Sequence, residues 1–209
     1  MYGFDLGRIE LGQDHNLDGV PFEKTRQYIR EAYDRGGIIT LSWHLNNPLT
    51  GGTAWDNKPG AVASILPGGE KNALYTGWLD RVAEFLGGLK GPKGEAIPVI
   101  LRLFHELNGG WFWWGKDQCS PDEMKRLWQF TIHYLRDQKK IHHLLYAYNT
   151  DRFQSGSEWM ERYPGDEWID IAGFDIYQGN NIKENAAFAA FLEKDLHILD
   201  SIALIHHKI

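Results

Sequence analysis

A parallel-sheet α/β fold of the barrel kind is what this 209-residue sequence predicts, and three observations predict it. Short buried-looking strand runs alternate with amphipathic helical runs, which is the pattern of a parallel sheet covered by helices. Each strand run ends in a chemically useful polar group, so these groups converge on one mouth. No glycine-rich phosphate loop follows the first strand, which takes weight from the doubly wound nucleotide-binding sheet.

The strand runs are YGFDL (2–6), IITLSWH (38–44), IPVILRLFHE (97–106), HLLYAYNT (143–150) and DIAGFDIY (170–177). Helices are predicted between them. One spans 23–36. Another carries Tyr75, Trp78, Leu79, Val82, Phe85, Leu86 and Leu89 at i, i+3, i+4 spacing. A third opens with Ser120 as N-cap, Pro121 at the first helical position and Glu123 completing a capping box, ahead of Met124, Leu127, Trp128 and Leu135. The last runs from about Glu184 to His206, with Phe188, Phe191, Leu192, Leu199 and Ile202 inward. The polar strand ends are Asp5, Trp43-His44, His105-Glu106, Asn149 with Asp151, and Asp175 with Tyr177. There is no internal repeat and no low-complexity segment.

Composition excludes several function classes. A formal net charge of −6 without a Lys/Arg-rich block argues against nucleic acid or an anionic membrane as partner. No apolar run approaches a membrane span. The first residues, MYGFDLGRIELG, lack a basic n-region and an apolar h-region. Cys119 is the single cysteine, so no intramolecular disulfide forms. Aromatic residues are the anomaly, with nine Trp, nine Tyr and ten Phe. If residues 111–114 are extended, Trp111, Phe112, Trp113 and Trp114 cannot all face inward, because neighbours point to opposite sides. Sugar rings stack their C–H faces on indole, so exposed Trp beside carboxylates points to carbohydrate.

Glu106 is the candidate general acid. Packed beside His105 and under tryptophans, its carboxyl is desolvated and its pKa raised, which protonating a glycosidic oxygen near neutral pH requires. The alternative is a salt-bridged strand-end carboxylate. His44 and His105 lie on different strands, and no HExxH pair or Cys cluster accompanies them. Hydrogen bonds to sugar hydroxyls, or orientation of Glu106, are therefore preferred over metal binding. No metal and no cofactor are expected. Asp175 and Tyr177 are two apart and are read as sharing a strand face, where Asp175 holds a hydroxyl or orients a neighbour. Tyr177 either steers a nucleophilic carboxylate or is a core aromatic with its hydroxyl at the rim. The Gly-rich loop 46–57 brings Trp55 and Asp56 to a substrate cleft. Arg102 is read as a structural ion-pair partner for a carboxylate in the barrel.

Four segments carry a family resemblance: YGFDLGRIE (2–10), LSWHLNNP (41–48) with TGGTAWD, RLFHELNGGWFWWG (102–115), and GFDIYQ (173–178). Together they resemble glycoside hydrolase family 26, whose best-known members are endo-β-1,4-mannanases. The resemblance implies a (β/α)₈ TIM barrel and retaining hydrolysis by two glutamates. Glu106 falls at the family's acid/base position. His44, His105, Trp111 and Tyr177 fall where substrate-subsite residues lie, and Asp175 matches a polar position near the same subsite. In the family the acid/base follows the fourth barrel strand and the nucleophile the seventh, whereas Glu106 ends only the third strand recognisable here. The expectation is therefore an incomplete barrel of about five to six strand–helix units, a single partial catalytic domain over 1–209 that lacks the first strand and the last strands. The nucleophile is expected outside this chain, in a strand beginning about where HHKI stops. The substrate class implied is mannan, galactomannan or glucomannan, acted on by a monomer that is secreted, periplasmic or cell-surface because the polymer is bulky. Alternatives are a non-catalytic polysaccharide-binding protein and a β-glycanase acting on xylan or mixed-linkage glucan.

Overall fold

The computed structural model describes residues 1–178 and 185–209. Five strands form one sheet: β1 (Tyr2–Asp5), β2 (Ile39–Ser42), β3 (Val99–Arg102), β4 (Leu144–Thr150) and β5 (Ile171–Phe174). Their spatial order is β1-β2-β3-β4-β5, and every neighbouring pair is parallel. A doubly wound sheet reverses its strand order at a switch point. This one never does, so it is wound in one sense only, as in a barrel. Six helices accompany the strands among the described residues: α1 (Phe22–Asp34), α2 (Ala61–Ile65), α3 (Asn72–Gly87), α4 (Pro121–Ile132), α5 (Gly156–Met160) and α6 (Asn185–His206).

Register places Leu41 opposite Leu101, and Leu101 opposite Tyr146. Ile39, Leu41, Val99 and Leu101 are buried in the main core, while the intervening Thr40, Ser42, Ile100 and Arg102 are only half-buried. The alternation follows from the period of two along a strand. Gly3, Asp5, Thr40, Ser42 and Arg102 border an open cavity of about 390 Å³.

The helices bury the stripes that their spacing predicts. In α3, Tyr75, Trp78, Leu79, Val82, Phe85 and Leu86 are all buried. At α4, Ser120 N–H donates to Glu123 Oε2 at 2.7 Å, and Glu123 N–H donates to Ser120 Oγ at 3.2 Å, closing the capping box. The helix then loosens into a π turn over His133–Gln138. Trp43, Trp113, Trp114, Trp128 and Trp159 are fully buried. Each such side chain contributes about 4–6 kcal/mol of apolar burial. The cost of enclosing an indole N–H is avoided, since Trp113 donates to Leu45 O, Trp114 to His105 O, Trp128 to Trp168 O and Trp159 to Gly173 O.

Several expectations about local structure are corrected. The predicted strands are too long. β2 stops at Ser42, β3 at Arg102 and β5 at Phe174, so His44, His105, Glu106, Asp175 and Tyr177 lie on the segments that leave the strands. Phe104 and Glu106 have positive φ values of 46° and 54°, which no strand contains. Residues 111–114 are a run of bends and turns rather than an extended segment, and this lets Phe112, Trp113 and Trp114 all face inward while Trp111 alone is exposed. On α6, Leu199 and Ile202 are buried, but Phe188 and Leu192 are half-buried and Phe191 is exposed beneath the Arg152 guanidinium. Glu184, the predicted start of that helix, lies outside the described residues.

At the far end of α6, His207 adopts φ 52° and Lys208 N–H reaches back to Ala203 O at 2.8 Å, a helix stop of the Schellman type. The chain then turns onto the sheet. Ala172 N–H donates to Ile209 O at 2.9 Å and Ile209 N–H donates to Asp170 O at 3.2 Å. These two bonds are those of a parallel ladder, with Ile209 beside β5.

Candidate active site

The turn that ends β3 aims Glu106. Its N–H donates to Asn149 O at 2.8 Å, tying it to the end of β4, and its carbonyl accepts from Gly109 N–H at 2.8 Å. The carboxylate is only 8% exposed. Trp111 Nε1–H donates to Oε2 at 2.8 Å, and the Tyr177 hydroxyl approaches Oε1 at 3.4 Å. Burial raises the pKa of Glu106, and the charges of Asp175 and Asp151 add to the rise, against the opposing hydrogen bonds from Trp111 and Tyr177. The turn depends on glycine: a Cβ at Gly109 would run into the Trp111 ring, and one at Gly115 into the Gly109 carbonyl.

Two ion-pair systems flank this carboxylate. Arg102 grips Asp175 through both oxygens, at 2.9 and 2.7 Å, so the carboxylate partner expected for Arg102 is the residue leaving β5. On the other side, Asp5 Oδ2 lies 2.7 Å from His44 Nδ1, and His44 Nε2 lies 3.1 Å from His105 Nε2. Burial opposes ionisation of Asp5, but the hydrogen bonds and charge of His44, with Gly7 and Ser42, hold its pKa below the usual carboxylate value. His105 is 5% exposed. Burial, together with the neighbouring His44 and Arg102, pushes its pKa down to about 3, so the ring is neutral at physiological pH.

Exposed aromatic rings ring the mouth. Trp55 is 52% exposed and stacks on His44 at 5.2 Å and 13°. Trp111 is 40% and Tyr177 79% exposed, so Tyr177 is a rim residue and not a core aromatic. The structure thus brings His44, Trp55, His105, Glu106, Trp111, Asp175 and Tyr177 into one hydrogen-bonded and stacked neighbourhood. Among the described residues no group of three His, Cys, Asp or Glu side chains is arranged to hold a metal ion.

Sequence reasoning missed the groups that brace the mouth. Glu10 is completely buried and accepts from Trp43 Nε1–H at 2.9 Å and from Asn46 N–H at 2.8 Å, gripping the chain on both sides of His44. Burial raises its pKa. Asn47 accepts from Leu49 and Thr50 N–H and donates to Asp56 O, which shapes the loop carrying Trp55. Asn57 ties that loop to Gly110 O at 2.8 Å. Asn108 accepts from Asp151 N–H at 2.6 Å and donates to Arg152 O at 2.9 Å. The one available signal was Asn47 in a Gly-rich loop, where its amide oxygen satisfies nearby backbone N–H groups.

Chemically, this is the carboxyl group of a buried residue flanked by the exposed rings of Trp111 and Tyr177. Its raised pKa favours the protonated form that a proton donor needs. The chain is similar to known proteins. The structure of a GH26 β-mannanase from Bacteroides ovatus superimposes with a TM-score of 0.94 and 47% identity, over 99% of this chain and 59% of that one. A mannan endo-1,4-beta-mannosidase of Bifidobacterium adolescentis is 38% identical over all of this chain, which spans 22% of it. One of Bacillus subtilis is 32% identical over 85% of this chain and 50% of its own length. Residues 2–199 match glycosyl hydrolase family 26, and the chain belongs to that family.

Proposed function

We propose that this chain carries the acid/base side of a retaining endo-β-1,4-mannanase site. The observation that carries the reading is Glu106: a buried residue whose carboxyl has a raised pKa, is held by an indole N–H and sits beside the exposed rings of Trp111 and Tyr177. As general acid it protonates the departing glycosidic oxygen, and as general base it then activates water. Trp55, Trp111 and Tyr177 offer ring faces and edges to mannosyl units, while His44, His105 and Asp175 set the polar floor. The mannan chemistry is supported by the relatives, all three of which are named for it. The bulk of such a polymer supports a secreted, periplasmic or cell-surface site for the reaction.

A retaining mechanism also needs a nucleophilic carboxylate opposite the acid. Asp175 is held bidentately by Arg102 and Asp5 by His44, so neither is free to attack an anomeric carbon. Among the described residues, neither of these two carboxylates is therefore assigned as the nucleophile.

The test is a pair of measurements on the purified chain: mannohexaose binding by calorimetry, and reducing-sugar release from β-mannan. Binding with little or no hydrolysis is expected. Hydrolysis at ordinary enzyme efficiency, about 10⁴ M⁻¹s⁻¹ or more, would show that a carboxylate of this chain serves as nucleophile, and absence of binding would overturn the mannan reading. In a hydrolytically competent form, Glu106→Ala removes turnover and keeps the ligand, whereas a pure binding protein has no turnover to lose.

A further inference from the structure

We propose that Asp5 is a positioning residue that fixes the tautomers of two histidines, and through them the Trp55 platform and the residue preceding Glu106. The Asp5 carboxylate receives Gly7 N–H on Oδ1 at 2.7 Å, the Ser42 hydroxyl on Oδ2 at 2.8 Å, and His44 Nδ1 on Oδ2 at 2.7 Å. An ionised carboxylate only accepts, so His44 carries its hydrogen on Nδ1.

The consequence passes along the rings. His44 Nε2 lies 3.1 Å from His105 Nε2, and only one hydrogen fits between the two nitrogens. His105 Nδ1 is buried without a partner among the described residues, so it is a bare lone pair, and His105 donates from Nε2 to a bare His44 Nε2. The opposite assignment would enclose an orphaned N–H, the rarer and costlier defect. One carboxylate at the end of β1 thus sets the hydrogen positions of two rings 39 and 100 residues away in the chain. His44 holds the stack with Trp55 at 5.2 Å, and His105 immediately precedes Glu106 in the chain.

Asp5→Asn tests this with almost no change of shape. Gly7 N–H can only donate, so it claims the single oxygen of the Asn amide. The NH₂ then faces His44 and Ser42. His44 must now accept on Nδ1 and carry its hydrogen on Nε2, which makes His105 the acceptor at Nε2 and moves its own hydrogen to Nδ1. Both tautomers invert.

Long-range ¹H–¹⁵N correlation spectra of histidine-labelled protein read this directly, since protonated and bare ring nitrogens resonate far apart. The expected result is His44 as Nδ1–H and His105 as Nε2–H in the unmodified protein, and the reverse in D5N. His44 found as Nε2–H in the unmodified protein overturns the proposal without recourse to any variant, and so does a D5N spectrum with both tautomers unchanged. The positioning role, which rests on the mannanase reading, predicts a roughly tenfold loss of mannohexaose affinity in D5N, the scale of one hydrogen bond. Inverted tautomers with unaltered affinity would overturn that role. If neither protein binds mannohexaose, the mannan reading fails and the spectra still decide the tautomers.

Discussion

Replacing Trp111 with Phe removes one hydrogen-bond donor from Glu106 and leaves its burial nearly intact. The indole N–H sits 2.8 Å from Oε2, the length of a charge-assisted bond. A hydrogen bond to a charged group contributes roughly 1.5–3 kcal/mol. Its loss destabilises the ionised form and moves the carboxyl pKa upward. The direction is unambiguous, because burial and the Asp175 and Asp151 charges, which all push the same way, remain. Tyr177→Phe is the internal control. Its hydroxyl is 3.4 Å from Oε1, past the optimum for an O–H donor, and its ring is 79% exposed, so water substitutes for it. The shift there should be much smaller than that of Trp111→Phe. Carboxyl ¹³C titration of Glu-labelled protein, with Glu106→Gln supplying the assignment, reads both. A Trp111→Phe titration that coincides with the unmodified protein, or falls below it, would refute the reasoning. In a hydrolytically competent form, the same substitution moves the alkaline limb of the rate profile upward, since a general acid works only while protonated.

Three further outcomes are expected. Arg102→Leu strands Asp175 without its bidentate partner in a half-buried site and costs roughly 2–3 kcal/mol in urea unfolding; Arg102→Leu with Asp175→Asn should recover part of it. His105 binds a proton less tightly when folded than unfolded, with pKa lowered from 6.5 to about 3. Its contribution is complete above pH 6.5 and is lost as pH falls toward 3, about 2 kcal/mol by pH 5. Glu10 and Glu106, with raised pKa values, act in the opposite sense, gaining stability as pH falls toward 4.5, so the comparison is made against His105→Gln. Equal pH slopes for the two proteins would contradict the assignment. Ser120→Ala opens the capping box of α4 and costs about 1 kcal/mol, or roughly 2–4 °C in melting temperature; no change would show the cap to be idle.

The candidate site was legible to an uneven degree. The amide network of Asn47, Asn57 and Asn108 was not read at all, because each of these residues acts on backbone several to tens of residues away. Glu10 was invisible for a related reason. Nothing in RIELG says that its carboxylate is enclosed, and only the fold brings Trp43 and Asn46 onto its two oxygens. Arg102 was expected to pair with a carboxylate, but which carboxylate depended on placing β3 and β5 in the same sheet, 73 residues apart.

By itself the sequence determined what local physics determines. The apolar stripe of α3, the Ser-Pro-x-Glu opening of α4 and the cores of all five strands follow from side-chain period and backbone capping, which act within a few residues. It also determined that His44, His105, Glu106, Asp175 and Tyr177 share one end of the sheet, since a parallel sheet points every strand the same way. Tertiary structure alone decided how those groups are used. The strands stop before the site residues, a left-handed turn rather than a strand aims Glu106, and three of four consecutive aromatics are buried because the chain bends between them. These outcomes depend on contacts between segments tens of residues apart, and hydrophobic burial and hydrogen-bond satisfaction are settled only when those segments meet.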